Sequence, residues 1–257
     1  MTNYFVITAG RTGSAWLADF LSANLKIEAI HEPLGIEDFG TRMPDIRTMR
    51  TYNNHGNTRF VQEFWERKFK TIPDGTYAET NHTLCKCGLV ENVISNGRAD
   101  FTTLIVLKRN IVKQCVSYLV RNDFGNITLA WQWYLHPSYS RKIINADAFS
   151  QFGPLGMPLW YCYEMATRQE YYRQKYADQI KMVDVSLDEA VHEEGAKAFL
   201  TDLGIDGACV MPPKKNANKA QPSQELVQQV TTIVEKITFD PAKVAGDAIK
   251  AGFTFEP

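Results

Sequence analysis

Two arginines and a small set of acid–base side chains stand where this chain turns from strand to helix. The first lies in ITAGRTGSAWL, Ile7 to Leu17. An apolar run ends, a glycine-containing loop follows, and a helical period begins. Such a turn leaves the first helical N–H groups unpaired, at the positive end of the helix dipole. That is an anion site. Gly10 and Gly13 let backbone approach a phosphate closely. Arg11 adds a fixed charge, and Thr12 and Ser14 add hydroxyl donors. The loop is not the ATP-binding P-loop, because no Gly-Lys-Ser/Thr follows, and it lacks the G-x-G-x-x-G of dinucleotide sites.

A second anion signature is KRNIVKQCVSY, Lys108 to Tyr118. Arg109 ends the most strand-like segment, and Ser117 lies two turns into the helix that follows. Proton-transfer candidates also cluster at strand ends. Glu32 and His31 sit in HEP, after one apolar run. Glu79 and His82 sit in YAETNH, after the next. Each has a plain structural alternative, since a carboxylate beside Arg11 can be an ion pair and a loop histidine a hydrogen-bond filler.

The elements that position these residues alternate. Strands are expected at Tyr4 to Thr8, Lys26 to Ile30, Thr76 to Glu79, Thr102 to Leu107 and Ile180 to Val185. Helices are expected at Ala15 to Asn24, 58–70, Leu84 to Ser95, Ile111 to Arg121 and Pro158 to Tyr176. Two more are expected, from Ser186 to Gly204 under a capping box and from Ser223 to Ile237. Residues 34–56 read as a long loop. The pattern predicts one α/β domain over residues 1–257. It would be three-layered, with a central, mostly parallel sheet, helices on both faces and a P-loop-like phosphate-binding loop after the first strand. Ligands of such sheets sit beyond the carboxyl ends of the strands.

The two signatures together resemble the PAPS-dependent sulfotransferase family. Its 5′-phosphosulfate loop reads approximately Lys/Arg-Ser/Thr-Gly-Ser/Thr-Thr/Ser-Trp/Leu. Arg11, Thr12, Gly13, Ser14, Ala15 and Trp16 fill those places in order. Ala15 departs where a hydroxyl is usual. The family's 3′-phosphate motif, an Arg at a strand end and a Ser eight residues on, is matched by Arg109 and Ser117. The resemblance implies that Arg11 binds the 5′-phosphate and the oxygen bridging to sulfur. Thr12, Gly13 and Ser14 would hold the phosphate, and Trp16 would stack on adenine. It further implies a late basic loop closing on the 3′-phosphate. Pro212 to Lys219 has that place, with Lys214, Lys215 or Asn218 as candidates. Glu32 resembles the catalytic glutamate of bacterial members, and His82 loosely matches the catalytic histidine of the animal cytosolic branch. The implied reaction moves a sulfuryl group from PAPS to a hydroxyl or amine of a small-molecule or glycan acceptor and releases 3′,5′-ADP without a metal. A phosphotransferase with a degenerate P-loop and a non-catalytic binder of phosphonucleotides are the rival readings.

Composition sets bounds on partners. The 257 residues carry a formal net charge of -1, so no global field recruits nucleic acid or acidic membrane. The five cysteines form no regular framework and read as reduced. No apolar run reaches the ~20 residues of a membrane span, and no basic leader precedes the first strand. A cytoplasmic location is expected. The aromatic stretch from Asn126 to Tyr163 is expected to shape an acceptor pocket while placing most of its rings in the core.

Overall fold

The computed structural model describes residues 2–125, 132–213 and 221–257. Among them four strands, β1 (Asn3–Ile7), β2 (Tyr77–Glu79), β3 (Thr102–Lys108) and β4 (Lys181–Ser186), form one parallel sheet in the order β2-β1-β3-β4. Tyr4 stands opposite Ala78 on one side and Thr103 on the other, and Val106 stands opposite Asp184. The α/β class and the parallel sheet therefore agree with the sequence pattern.

The continuous apolar runs of β1 and β3 follow from burial on both faces, because successive strand side chains point to opposite sides. Phe5, Ile7, Leu104 and Val106 enter one apolar cluster, with Tyr52, Trp65, Tyr118 and Trp160. Tyr4, Val6, Ile105 and Leu107 enter another, with Trp16, Leu17, Phe20 and Phe199.

Helices α1 (Ser14–Leu25), α2 (Ile46–His55), α3 (Arg59–Lys70), α4 (Leu89–Ser95), α5 (Ile111–Arg121) and α6 (Gly156–Tyr176) surround the sheet's loops. Helices Glu193–Leu203, Gln224–Lys236 and Pro241–Lys250 follow. Asn110 starts α5 by accepting the Lys113 N–H at 3.1 Å, which fixes the chain direction just after Arg109. Ser223 likewise accepts from Leu226 N at 3.1 Å.

Four expectations are corrected. Lys26 to Ile30 is not a strand: α1 runs to Leu25, Lys26 ends it in the left-handed conformation, and only Ile30 bridges to Glu79. Residues 34–56 hold a helix, α2, because Asp45 accepts both Thr48 N and Thr48 Oγ1 at 2.8 Å. The segment from Leu84 to Ser95 breaks at Gly88, whose φ of 86° ends the first turn. A Cβ at Gly88 would lie 2.9 Å from Asn92 Nδ2. The segment from Ser186 to Gly204 splits into Leu187–Ala190 and Glu193–Leu203, and Ser186 makes no side-chain cap. Helix Pro241–Lys250 was not anticipated, although Asp240-Pro241 is a cap followed by a first-turn proline.

Candidate active site

The loop between β1 and α1 is bent by three left-handed residues, Gly10 (φ 88°), Arg11 (φ 54°) and Gly13 (φ 85°). Gly13 caps α1 without a side-chain hydrogen bond. Arg11 is the informative one, since a residue with a Cβ is disfavoured in this region and is held here by its surroundings.

Those surroundings are side chains from α5, α6 and the turn before α5 that grip the loop's carbonyls. Tyr161 donates to Ala9 O at 2.6 Å, and Tyr118 OH lies 3.0 and 2.8 Å from Ala9 O and Gly10 O. Gln114 Nε2 donates to Gly10 O at 2.9 Å, and Arg109 Nη1 to Arg11 O at 2.7 Å. In a trans peptide the N–H points opposite to the C=O. Pinning the carbonyls of residues 9, 10 and 11 therefore turns the N–H groups of Gly10, Arg11 and Thr12 to the other side. A concavity of oriented N–H groups favours an anion.

The two sequence signatures meet at this loop. Arg11 Nε donates to Ser117 Oγ at 3.1 Å across 106 residues. Arg109 reaches the Arg11 backbone, and its buried Nε has no partner among the described residues. Asp188, whose charge acts on Arg109, is already engaged by Lys113 Nζ at 2.6 Å and Asn110 N at 3.0 Å. Burial lowers the Arg109 pKa while Asp188 opposes that. A cavity of about 250 Å³ opens beside Thr12 and Arg109, between β3, α5, α6 and Asp240.

The loop hydroxyls divide. Thr8 Oγ1 donates to Leu107 O at 3.0 Å and lies 2.6 Å from Thr12 Oγ1, so Thr12 supplies the proton of that second bond. The Thr12 hydroxyl proton is thus held inside the fold, and only its N–H is left for an anion. Ser14 is buried and opens α1, with half-buried Ala15 after it. Trp16 is 6% exposed and stacks on Phe20 at 5.1 Å, inside the second apolar cluster. Lys214, Lys215, Asn218 and Trp131 lie outside the described residues.

The acid–base candidates separate clearly. Glu79 is wholly buried, with Oε2 accepting Lys68 Nζ at 2.7 Å and Tyr77 OH at 2.6 Å. Glu32 keeps its side chain 16% exposed, with Oε1 3.4 Å from His82 Nε2 and Oε2 3.8 Å from His31 Nε2. Its own backbone is left-handed at φ 47°. Burial raises the Glu32 pKa above the ordinary value, against the opposing charges of His31, Lys86 and Arg11. His31 is tied through Nδ1 to Thr80 O and Oγ1, both at 3.1 Å. His82 is buried, and its pKa falls well below the imidazole range, first through desolvation and then through Lys86, His31 and Arg11. Its ring sits against Gly10, where a Cβ would come within 3.2 Å of it.

Lys86 is the residue that sequence reasoning missed. Its Nζ lies 2.7 Å from His82 Nδ1, 2.9 Å from Tyr161 OH and 2.5 Å from Trp133 O. Burial brings its pKa down to about 8. The available signal was the i, i+4 spacing in HTLCK. Of the aromatic stretch, Tyr134, Tyr139, Phe149, Trp160, Tyr161 and Tyr163 are core residues. Half-buried Trp133 approaches His82, with ring centres 5.7 Å apart. Among the described residues no helix is long and apolar enough to cross a membrane. No protein-family model matches the chain, and no curated protein matches it.

Proposed function

We propose that this chain is a sulfotransferase that moves a sulfuryl group from PAPS to a hydroxyl or amine of a small-molecule or glycan acceptor, releasing 3′,5′-ADP. One observation carries the reading. Arg109 and Ser117, about a hundred residues from the first loop, meet Arg11 at that loop, on the side chain and on the backbone. A nucleotide bearing phosphates at two positions needs cations and N–H donors grouped in this way.

The residues fit such a ligand. Arg11 and the N–H groups of residues 10–12 would hold the 5′-phosphate. Arg109, with its unpartnered Nε, and Ser117 would hold the 3′-phosphate. The apolar clusters on alternate sides of β1 and β3 support a three-layer, P-loop-like arrangement. Five free cysteines fit a cytoplasmic location.

Sulfuryl transfer forms a bond from the acceptor oxygen or nitrogen to sulfur and breaks the bond from sulfur to the phosphate oxygen. The acceptor proton needs a base, worth ~10²–10⁴-fold. The departing phosphate needs positive charge. Glu32 is the base in this reading, since it is a partly open carboxylate with a raised pKa. Arg11 supplies the charge.

Calorimetry with 3′,5′-ADP, 5′-AMP and ATP·Mg²⁺ tests the site. Binding should require the 3′-phosphate, and Arg109→Ala should weaken it by ~1.5–3 kcal/mol, the range for a bond to a charged group. Unchanged affinity in Arg109→Ala would remove the 3′-phosphate assignment. Binding of ATP·Mg²⁺ alone would put a phosphotransferase in its place. Nucleotide binding without transfer from radiolabelled PAPS to any acceptor would leave a non-catalytic binder.

A further inference from the structure

The contacts of Lys86 determine which nitrogen of His82 carries a proton. Tyr161 gives its own hydrogen to Ala9 O, so toward Lys86 its oxygen is an acceptor. Trp133 O is an acceptor only. An ammonium has three N–H donors and no lone pair. With two directed at Tyr161 and Trp133, the third meets His82 Nδ1, which must offer a lone pair. A neutral imidazole accepting at Nδ1 carries its proton on Nε2. That nitrogen faces Glu32 Oε1.

We propose that Lys86 is a positioning residue whose ammonium locks His82 as the neutral Nε2–H tautomer, so that His82 turns an N–H toward Glu32 and is not itself the proton acceptor. That N–H faces Oε1 across 3.4 Å, which leaves Oε2 as the basic oxygen. The tautomer stands on the contacts and on the charged form of Lys86, while its catalytic consequence rests on the sulfotransferase reading. The groups facing His82 are Lys86 from its own segment, Glu32 and His31 from the loop after α1, and Arg11 from the loop after β1. Trp133 and Tyr134 wall the ring without charge. Lys86 keeps its ammonium below about pH 8.

The test is ¹⁵N NMR of the histidine side chains in the full chain, from about pH 5.5 to 7.5, where Lys86 is charged. His82 should remain neutral and protonated at Nε2 throughout, and in Lys86→Met it should show mixed tautomers or begin to titrate. An Nδ1–H or doubly protonated ring in the wild type overturns the proposal, as does an unchanged tautomer in Lys86→Met. Should Lys86→Met not fold, the wild-type spectrum alone decides. Turnover gives a second reading. His82→Gln, which keeps a donor at the same reach, should stay within ~10-fold of wild type, whereas His82→Ala should lose ~100-fold through a misplaced base. A glutamine variant as poor as the alanine one also overturns it. The spectrum needs neither nucleotide nor turnover, so a failed sulfotransferase assignment leaves the tautomer result standing.

Discussion

Glu32 and Glu79 are neighbours in space, because Ile30 bridges to Glu79 at the end of β2, yet they are built for different ends. Glu79 is closed. Lys68 and Tyr77 take one oxygen, Asn81 donates to the other at 3.1 Å, and the side chain is 0% exposed. Glu32 has His82 at one oxygen at 3.4 Å and is still partly open. Each carboxylate has a buried lysine nearby. Lys68 pairs with Glu79 directly, whereas Lys86 bonds to His82 and acts on Glu32 by charge without touching it. A direct buried pair holds a fold, because removing either partner strands the other charge. An indirect one keeps a carboxylate oriented while leaving an oxygen available.

Glutamine at each position breaks that contrast in opposite directions. Glu32→Gln should lower turnover by ~10²–10⁴-fold, the usual worth of a general base, with an unchanged urea midpoint. Equal activity of the variant would move the base elsewhere. The raised Glu32 pKa adds a sign: the base is lost by protonation, so the acid limb of the wild-type rate profile should lie above the ordinary glutamate range. Glu79→Gln should instead cost about 3–5 kcal/mol in stability, since Lys68 stays buried without its counter-charge. A variant that melts like wild type would deny Glu79 its structural role.

Glu91 is another buried carboxylate and sharpens the contrast, because among the described residues it forms no ion pair and only the more distant charge of Lys175 acts on it. Tyr52 donates to its Oε1 at 2.8 Å, and Oε2 has no hydrogen-bond partner among the described residues. Burial raises its pKa from 4.5 to about 7. The folded state therefore holds a proton that the unfolded state releases. This contribution is fully present below about pH 4.5 and is lost as pH rises through about 7. Glu91→Gln should flatten that slope and stabilise the chain above pH 7 by on the order of 3 kcal/mol, at 1.36 kcal/mol per unit. Denaturant melts at pH 5 and pH 8 compare the two, and an identical slope in the variant removes Glu91 as its source.

The smallest effect tests the strain at Glu32. Its φ of 47° suits glycine. Glu32→Gly should raise stability by about 1 kcal/mol while losing the base, a trade of stability against function. A loss of stability would mean that the side chain's contacts outweigh its backbone.

Much of the frame was legible in the residues. Helix α5 was expected from Ile111 to Arg121 and occupies that span, because Asn110 caps it and an apolar period runs through it. β3 was expected from its unbroken apolar run and extends one residue further, to Lys108. The misread segments turned on single residues. Lys26 and Gly88 adopt left-handed conformations that stop or break an otherwise plausible period, and Asp45 starts a helix whose buried face, Thr48, Met49, Tyr52 and Asn53, is half polar.

The sequence by itself determined the four observed strands, the turn after β1 with its two glycines, and the presence of Arg11 and Arg109 after strands. Each depends on a residue and its near neighbours along the chain. Only the tertiary structure decided that Arg11 meets Ser117 across 106 residues, that Thr12 turns its hydroxyl inward, and that Glu79 closes while Glu32 stays open. Lys86 beneath the loop belongs with these. The reason is physical: exposure and proton affinity are set by what packs against a group from distant segments, and that packing exists only once the chain has folded.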